Sequence, residues 1–368
     1  MRRPRLLLDL TRYHPADGGF ATAVHHLLAS TSTFDDIDVV AVALDQFADA
    51  LRQHGTHVAS IHAPMKARSY VGLLAMPLLA RRFGADALHA EIGALPYGMG
   101  IRSSVTAHDL HFLSSADQPP GGLSGLNYRL YWRHLYVSSL KRATLIKAIS
   151  RATATAVTRA IGDSDRIRLA YPRVDPGDPT TGEGTPVEGR ELNLLFLGSV
   201  VPRRNLPFLL DALRLVKRPW RLNIVGQVWW GARELGTVDP RVTFHGFVPD
   251  PVRDGMLRQA DVLICPSWDE GFGYPVAEAM AYGTFVLASD IPVFREYVPA
   301  ECRFSLNSPV DLAAKIESLD ATSMADLKSS LIDAIRPYSR ERHAEAHHAF
   351  FRELLGLASP QSFAPPPG

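Results

Sequence analysis

Two glutamates, Glu270 and Glu278, enclose a glycine-containing loop in the second half of the chain. Carboxylates accept hydrogen bonds from pairs of hydroxyl groups, such as those of a sugar ring or a ribose. Between the glutamates, Gly271 and Gly273 flank Phe272, and glycines let backbone amides come close to a ligand. The same spacing arises by chance in ordinary strand–loop–helix units, so the residue types alone leave a binding site and a simple turn both open.

The elements predicted around these glutamates suit a phosphate group as well. A buried strand, Val262–Cys265, leads into a polar loop, and Pro275 begins a helix of about two turns that stops near Gly283. A helix N-terminus presents free N–H groups and the positive end of the helix dipole. The segment therefore predicts a phosphate site with one carboxylate on either side.

This segment carries a resemblance to a known family. The run 270–281, EGFGYPVAEAMA, resembles the E-x7-E signature of the retaining GT-B glycosyltransferases of family four, the group 1 glycosyl transferases. Further matches follow in family order: Gly18-Gly19 after the first strand, Thr106-Ala107-His108-Asp109-Leu110, Ala148-Ile149-Ser150, Leu197-Gly198 with Pro202-Arg203-Arg204-Asn205, and the run 242–248, VTFHGFV. The resemblance covers most of the chain, and the E-x7-E segment is its most specific part.

The resemblance implies a transferase that uses a nucleotide-diphosphate sugar as co-substrate, with no separate cofactor. In the second half it implies that Glu278 binds the ribose and that Arg203 and Arg204 neutralise the diphosphate, whose charge grows as the sugar leaves. Glu270 would hold the sugar hydroxyls. The remaining donor-binding positions that it implies there are Gly271, Phe272, Gly273 and Tyr274.

In the first half, the resemblance implies that Gly18 and Gly19 close on the diphosphate and that His108 faces the donor sugar. The implied catalytic set is Glu270, His108, Arg203 and Arg204, and the departing phosphate oxygen serves as the base on the acceptor side. Each position has a structural alternative: a turn that needs glycine, a histidine with a structural hydrogen bond, or a solvated basic pair at a helix start.

Two positions depart from the family pattern. Arg204 stands where the family usually has lysine, which keeps the positive charge. Ser199 stands where many members have arginine, and Arg203 is the residue that could cover this loss. The diphosphate contacts are therefore less firmly implied than the glutamates.

Short apolar runs alternate with helix-like segments along both halves, which predicts the α/β class with parallel sheets. By resemblance the architecture is GT-B, two Rossmann-like, doubly wound domains facing a central cleft. Strands are predicted at 5–10, 37–44, 86–90, 103–107, 145–149, 167–171, 192–197, 221–225, 242–245, 262–265 and 284–288, and helices at 18–30, 71–83, 126–142, 206–216 and 275–282.

The chain divides into an amino-terminal acceptor-side domain and a carboxy-terminal domain that binds the sugar nucleotide. The predicted bounds are 1–175 for the first domain, 176–190 for a linker, 191–336 for the second domain, 337–357 for a helix that by family analogy crosses back to the first domain, and 358–368 for a disordered tail.

Composition excludes several classes of protein. Lys+Arg 39 against Asp+Glu 38 leave a net charge of +1, so no global charge favours nucleic acid. Cys265 and Cys302 cannot build a disulfide framework or a four-thiolate zinc site, and we expect them to be buried thiols. Asp9 ends the first apolar run too early for a signal peptide. We expect a cytoplasmic protein, either free or peripheral at the inner face of the membrane.

Other signals are weaker. The DxD pattern of metal-dependent glycosyltransferases occurs at 36–38 and 163–165, but neither follows a strand into the expected cleft, so we predict no essential metal. Basic residues crowd 128–168 beside aromatic Tyr131, Trp132 and Tyr136. One interpretation is a surface that binds an anionic membrane or a pyrophosphate-linked acceptor. The other is a solvated helix face.

The sequence thus predicts a retaining, metal-independent glycosyltransferase. It would move a sugar from a GDP-mannose-like or UDP-sugar donor to a hydroxyl of a glycan, lipid-linked or small-molecule acceptor. An epimerase or phosphorylase on the same fold, and a non-catalytic subunit that binds sugar nucleotide, are the alternatives; Ser199 keeps the last one open. The sequence does not distinguish acceptors, donor bases or oligomeric states.

Overall fold

The computed structural model describes residues 2–113, 126, 128, 130–175, 190–228 and 239–358. Within these residues the chain forms two compact units. The first contains residues 2–113, the described part of 126–173, and 340–358; the second contains the described part of 174–339. The predicted linker except for Arg190, and the predicted tail except for its first residue, lie outside the described residues.

The first unit is built on a parallel sheet. Its strands are β1 Arg5–Asp9, β2 Asp38–Leu44, β3 His57–Ile61, β4 Ala87–Ala90, β5 Arg102–Ala107, β6 Leu145–Ala148 and β7 Ile167–Leu169. They lie in the order β3-β2-β1-β4-β5-β6-β7, and all neighbours are parallel. The central strands are buried on both faces, which is why they consist of almost unbroken apolar runs such as residues 6–8.

The second unit has its own parallel sheet. Its strands are β8 Leu192–Leu197, β9 Trp220–Val225, β10 Val242–Gly246, β11 Val262–Cys265, β12 Phe285–Ser289 and β13 Arg303–Phe304, in the order β10-β9-β8-β11-β12-β13. The order reverses between β8 and β11. In doubly wound sheets, ligands bind beyond the carboxyl ends of the strands at such a switch point.

The α-helices of the described residues connect these strands. In chain order they are α1 Gly19–Thr31, α2 Asp45–Arg52, α3 Arg68–Phe83, α4 Val137–Arg142, α5 Arg151–Ile161, α6 Leu206–Leu215, α7 Asp250–Gln259, α8 Tyr274–Ala281, α9 Pro309–Glu317, α10 Ala321–Ile335 and α11 Arg340–Leu355. A π-helical segment, Leu130–Tyr136, directly precedes α4.

Helix α11 packs in the first unit although it follows the second unit in sequence. Its Phe350, Phe351 and Leu354 are fully buried in the same apolar core as Leu6 and Leu8 of β1. Burial of large aromatic and aliphatic side chains of this kind contributes roughly 1.5–3 kcal/mol each. The first unit therefore depends on residues from both ends of the chain.

The two parallel sheets confirm the predicted α/β class with two Rossmann-like units. The edge strand β3 of the first unit was not predicted, and neither were α7, β13, α9 and α10 of the second unit. In β3 only Val58 is buried, so its alternation is too weak to be recognised. The predicted helix over 126–142 is also different, because its middle part is π-helical.

Cys265 and Cys302 are free and buried, which confirms the expectation of ordinary buried thiols. None of the helices in the described ranges has the length and apolar character needed to cross a membrane.

Candidate active site

Glu270 lies in a buried position just beyond the carboxyl end of β11. Ser267 Oγ donates a hydrogen bond of 2.8 Å to Glu270 Oε1, and Ser289 Oγ donates one of 2.6 Å to the Ser267 carbonyl. Ser267 and Ser289 are fully buried, and Glu270 is 7% exposed. The carboxylate is therefore fixed by the ends of two neighbouring strands.

Arg203 and Arg204 meet this carboxylate from the turn that follows β8. Arg204 Nη1 lies 2.5 Å from Glu270 Oε1, and Arg203 Nη1 lies 3.5 Å from Oε2. The Trp268 N–H donates to the Arg203 carbonyl at 2.9 Å and ties the two loops together. Two guanidinium groups are thus held beside one carboxylate at the carboxyl ends of β8 and β11, in the middle of the second sheet.

The backbone around the arginine turn requires particular residues. Asn205, directly after the 3₁₀ turn Pro202–Arg204, has a φ of 53°, a left-handed conformation that asparagine tolerates better than most residues. A Cβ on Gly198 would lie 3.3 Å from Arg204 Cζ. The Arg204 guanidinium therefore lies over Gly198, directly after the end of β8.

The loop 271–273 is held by aromatic residues of the second unit. The Tyr297 hydroxyl donates to the Phe272 carbonyl at 2.7 Å, and the two rings stack with centroids 5.2 Å apart. Gly273 has a φ of 84°, and a Cβ there would lie 2.4 Å from the Phe294 ring. Glycine is required at this position, and the N-terminus of α8 begins directly after it, at Tyr274.

Glu278 lies one turn further along α8 and is partly buried. Burial raises the pKa of Glu278 to about 7, although the charge of Arg253 opposes this. Arg253 of α7 also pairs with Asp254 at 2.8 Å and Asp250 at 3.0 Å. Glu278 therefore titrates near neutral pH, and its surroundings differ from those of Glu270.

In the first unit, the structure brings His108 together with the glycine turn. Gly18 has a φ of 55° at the start of α1, and the Phe20 ring in the first turn makes an edge contact with His108, centroids 4.9 Å apart. His108 is buried, and its Nε2 lies 2.9 Å from the Glu91 carbonyl oxygen. Gly19 is the first residue of α1.

The predicted site residues therefore form two groups, each within one unit. Arg203, Arg204 and Glu270 are in direct contact, with 271–274 adjoining them and Glu278 on the helix that follows. Gly18, Gly19 and His108 form the group of the first unit. Ser199 itself carries no charge, and the cation against the preceding residue, Gly198, is Arg204.

Sequence reasoning missed three residues that hold these groups. Ser267 follows a buried strand and precedes Glu270 by three residues, a signal that could have been used. Glu91 follows β4 as His108 follows β5. Lys147 interrupts the apolar run Leu145–Ala148, and a lysine inside a strand covered on both faces must have a buried partner.

The acidic pairs set aside as metal motifs have local partners. Asp38 pairs with Arg5, and Asp163 with Arg166. Ligand atoms of Asp35, Asp36 and His348 lie within 4.8 Å of one another, and Asp36 also pairs with Arg352. We assign no metal ion to these three residues, because they are exposed or half-buried and a cation already pairs with Asp36.

The aromatic residues of the basic region 128–168 do not form an exposed surface. Tyr131 and Tyr136 are buried and Trp132 packs against the same core. The Tyr136 hydroxyl donates to the Thr106 carbonyl at 2.6 Å. For these three residues the membrane-surface interpretation is wrong, because the π-helical turn directs them inward.

Comparison with known proteins shows similarity to glycosyltransferases. Residues 191–321 match the family described as "Glycosyl transferases group 1". The O-antigen chain mannosyltransferase B of Escherichia coli is 28% identical over 158 residues, 40% of this chain and 39% of that protein. The alignments with this and two further mannosyltransferases span between 39% and 48% of those proteins' lengths.

A longer alignment and a solved structure extend the likeness beyond the matched domain. A GDP-mannose:cellobiosyl-diphosphopolyprenol alpha-mannosyltransferase of Xanthomonas oryzae is 26% identical over 308 residues, 77% of this chain and 78% of that protein. The crystal structure of Anabaena HepE in complex with UDP and glucose superposes with a TM-score of 0.68 at 18% identity, over 96% of this chain and 100% of the other. At that identity the superposition shows a shared GT-B glycosyltransferase fold and no more.

Proposed function

We propose that this chain, whose residues 191–321 match the group 1 glycosyltransferases, is a retaining mannosyltransferase that uses GDP-mannose. The acceptor in this proposal is a hydroxyl group of a lipid-linked or growing glycan. The observation that carries the proposal is the arrangement of Arg203 and Arg204 around the buried Glu270, directly beside the loop and helix N-terminus at 271–274.

In this proposal the arginine pair binds the diphosphate of the donor. Guanidinium groups bind phosphate oxygens in pairs, and a diphosphate gains negative charge as the sugar leaves. Fixed cations at that position stabilise the transition state more than the ground state, and so accelerate the chemical step. The positive end of the α8 dipole, which begins at Tyr274, adds to the same effect.

Glu270 orients both the arginines and the donor sugar. Its Oε1 already accepts from Ser267 and faces Arg204, so the carboxylate cannot rotate freely. A carboxylate fixed in this way can accept hydrogen bonds from sugar hydroxyls without further ordering cost. Glu278, one turn along α8, binds the ribose hydroxyls in its ionised form.

The chemical step is a substitution at the anomeric carbon. The bond from that carbon to the diphosphate oxygen breaks, and a bond to the acceptor oxygen forms on the same face of the sugar. The acceptor proton passes to the departing diphosphate oxygen, so atoms and charge balance without a protein base. We propose that the arginines and backbone amides supply the charge stabilisation without a metal ion.

Mannose is proposed because the relatives named above are mannosyltransferases, and the one aligned over most of this chain uses GDP-mannose by name. A UDP-sugar remains the comparison donor, since HepE was solved with UDP and glucose. None of the contacts made by the described residues favours the epimerase, phosphorylase or non-catalytic alternatives.

We also propose a peripheral contact with an anionic membrane, made by α3 of the first unit. Leu74 and Leu78 are 77% and 68% exposed and lie one turn apart, and Arg81 and Arg82 are exposed in the next turn. Exposed leucines followed by cations suit the headgroup region of a bilayer that contains anionic lipid. A membrane-bound acceptor would then be within reach of the enzyme.

A thermal-shift panel tests donor binding. Ligand that binds only the folded state raises the melting temperature according to its affinity. GDP-mannose is expected to raise the melting temperature of the wild type more than UDP-glucose, ADP-glucose or dTDP-glucose does, and Arg203→Gln is expected to abolish the shift. Glu301→Gln, an exposed glutamate of the same unit, serves as the matched control and should behave as wild type. No shift with any of the four would contradict the proposal.

A further inference from the structure

A charged cluster lies buried under α11 in the first unit, and the proposed reaction does not account for it. Glu91 and Lys147 are each 1% exposed, and Lys147 Nζ lies 2.7 Å from Glu91 Oε2. His89 and Thr106 complete the contacts of the same oxygen, at 2.8 Å and 2.7 Å. Removing two charges from water is costly, and apolar side chains of similar volume would be about as stable. Stability alone therefore does not explain the pair.

The sheet brings these side chains to one face. His89 of β4 is in register with Ser104 of β5, and Thr106 of β5 is in register with Lys147 of β6. Side chains two residues apart on a strand share a face. Three adjacent parallel strands thus present polar groups to the space beneath α11, directly below the strand ends from which Glu91 and His108 emerge.

Burial, neighbouring charges and hydrogen bonds together decide which groups of the cluster are charged. Burial lowers the pKa of His89 to about 4, so this imidazole is neutral at pH 7. Burial works to raise the pKa of Glu91, but Lys147 and the hydrogen bonds from His108 and His89 outweigh it and hold that pKa well below its ordinary value. Burial lowers the pKa of Lys147, although the charge of Glu91 opposes this. We assign a carboxylate and an ammonium group to the pair because their atoms lie 2.7 Å apart.

Helix α11 completes the cluster through His347. Its Nδ1–H donates to the His343 carbonyl at 2.8 Å, so its Nε2 is left to accept from Lys147 Nζ at 3.0 Å. Burial and then the charge of Lys147 lower the pKa of His347 well below its ordinary value. The ammonium group is thus shared between a carboxylate of the sheet and a neutral imidazole of the carboxy-terminal helix.

Glu91 also contacts His108. His108 Nε2 lies 2.9 Å from the Glu91 carbonyl oxygen and 3.4 Å from Glu91 Oε1. Both are acceptors, so Nε2 must carry the proton. None of the described residues makes a hydrogen bond with His108 Nδ1, and Thr153 Oγ1 donates to the His108 carbonyl at 3.3 Å.

We propose that Glu91, balanced by Lys147 and linked to α11 through His347, is a positioning residue that holds His108 with Nε2 protonated. The same arrangement presents Nδ1 as a hydrogen-bond acceptor for a sugar hydroxyl group. This inference rests on the proposed function for the identity of that ligand, whereas the protonation pattern of His108 does not depend on it.

The first test reads the imidazole directly. Full-length protein labelled with ¹⁵N-histidine is recorded by two-bond ¹H–¹⁵N correlation NMR at neutral pH, and His108→Gln assigns the signal. In its neutral form, His108 of the wild type is expected to carry its proton on Nε2. A neutral His108 that carries the proton on Nδ1 would overturn the proposal.

The second test removes the cluster without leaving a buried charge. In the double variant Glu91→Gln/Lys147→Met both charges disappear, so we expect a fold of near wild-type melting temperature. Because the 2.9 Å bond to the Glu91 carbonyl remains, the His108 signal should shift only partly toward the form protonated at Nδ1. If the double variant fails to fold, Glu91→Asp replaces it. This variant keeps the charge but shortens the side chain by one methylene group, and should give an intermediate His108 signal. A wild-type His108 signal in these variants would overturn the proposal.

The matched control is a second ion pair between the same sheet and the same helix. Arg168 of β7 and Glu353 of α11 pair at 2.6 Å and are largely buried, without contact to His108. Arg168→Met/Glu353→Gln should leave the His108 signal as in wild type. A change of equal size in this control would show that the signal reports only the attachment of α11, and would overturn the specific role of Glu91.

Turnover gives the functional readout. With GDP-mannose as probe and water as acceptor, the double variant Glu91→Gln/Lys147→Met is expected to lose about 10- to 100-fold in kcat, the scale of a mispositioned contact, with unchanged affinity for GDP. If GDP-mannose neither binds nor reacts in the wild type, the proposed function fails, while the NMR result still decides the role of Glu91. Wild-type turnover in a folded double variant would contradict the positioning role.

Discussion

At the scale of single residues, Glu270 is the side chain on which the proposed donor site depends most. One of its oxygens meets Arg204 and Ser267, and the other faces Arg203. The residue types and the spacing of the glutamates could be recognised from the sequence. The contacts of Arg203 and Arg204 with Glu270 could not, because they join residues 66 or more positions apart through two loops whose conformation depends on the sheet.

The first residue-scale prediction concerns Glu270→Gln. The amide keeps the volume but no longer fixes the two guanidinium groups, so kcat for transfer or donor hydrolysis should fall by about 100-fold or more. Steady-state kinetics with GDP-mannose measure the change, and circular dichroism checks the fold. Glu301→Gln is the control, and wild-type rates in folded Glu270→Gln would sink the assigned role.

The second residue-scale prediction concerns Glu278 and pH. Its pKa is about 7 in the folded state against an ordinary value of 4.5. The folded state therefore binds the proton more tightly, and stability from this group is complete below about pH 4.5 and is lost as pH rises through about 7, by on the order of 1–3 kcal/mol. Glu278→Gln lacks this titration.

Melting temperatures at about pH 5 and about pH 8 measure the effect. Relative to wild type, Glu278→Gln should gain more stability at the higher pH. Donor affinity should behave oppositely in the wild type, since the carboxylate form accepts the ribose hydroxyls: GDP binding should strengthen from pH 6 to about pH 8. A pH-independent difference between the two proteins would contradict the raised pKa of Glu278.

At the scale of elements, the strand–loop–helix unit β11–α8 was predictable and the elements that fix it were not. Val262–Cys265, Pro275 and Gly283 define the unit by local sequence. The ring of Tyr297 and that of Phe294, which hold the loop, come from residues after β12. The π-helical turn before α4 escaped prediction for the same reason, since its tyrosines bond to groups of other elements.

An element-scale prediction compares two glycines of the second unit. Gly273→Ala places a Cβ 2.4 Å from the Phe294 ring at a φ of 84°, and should destabilise by roughly 1–3 kcal/mol. Gly255 lies inside α7 with nothing within 4 Å of an added Cβ, so Gly255→Ala should stabilise by about 0.5–1 kcal/mol. Urea unfolding measures both, and equal stabilities would contradict the described loop.

A second element-scale prediction concerns α3. Leu74→Ser/Leu78→Ser should reduce flotation with vesicles that contain phosphatidylglycerol, because exposed apolar area on this helix is lost. Arg81→Gln/Arg82→Gln should remove the preference for these vesicles over pure phosphatidylcholine. Leu215→Ser, an exposed leucine of the second unit, is the control. Unchanged flotation of both α3 variants would exclude α3 as the contact.

At the scale of the whole molecule, the alternation of strands and helices was enough to predict two parallel α/β units. The composition and the position of the apolar runs carry this information, since strands covered on both faces must be apolar. The cluster of Glu91, Lys147 and His347 could not be predicted in this way. Its members lie 56 and 200 positions apart, and only the return of α11 to the first unit brings them together.

The most direct test of the proposed function follows the anomeric configuration in real time. Wild-type protein is mixed with GDP-mannose and an excess of a simple mannoside acceptor, or water alone, and ¹H NMR follows the anomeric signals. We predict release of GDP with first appearance of the α-anomer, the configuration of the donor, and loss of this reaction in Glu270→Gln. First appearance of the β-anomer would contradict retention, and stable GDP-mannose would contradict the mannosyltransferase assignment itself.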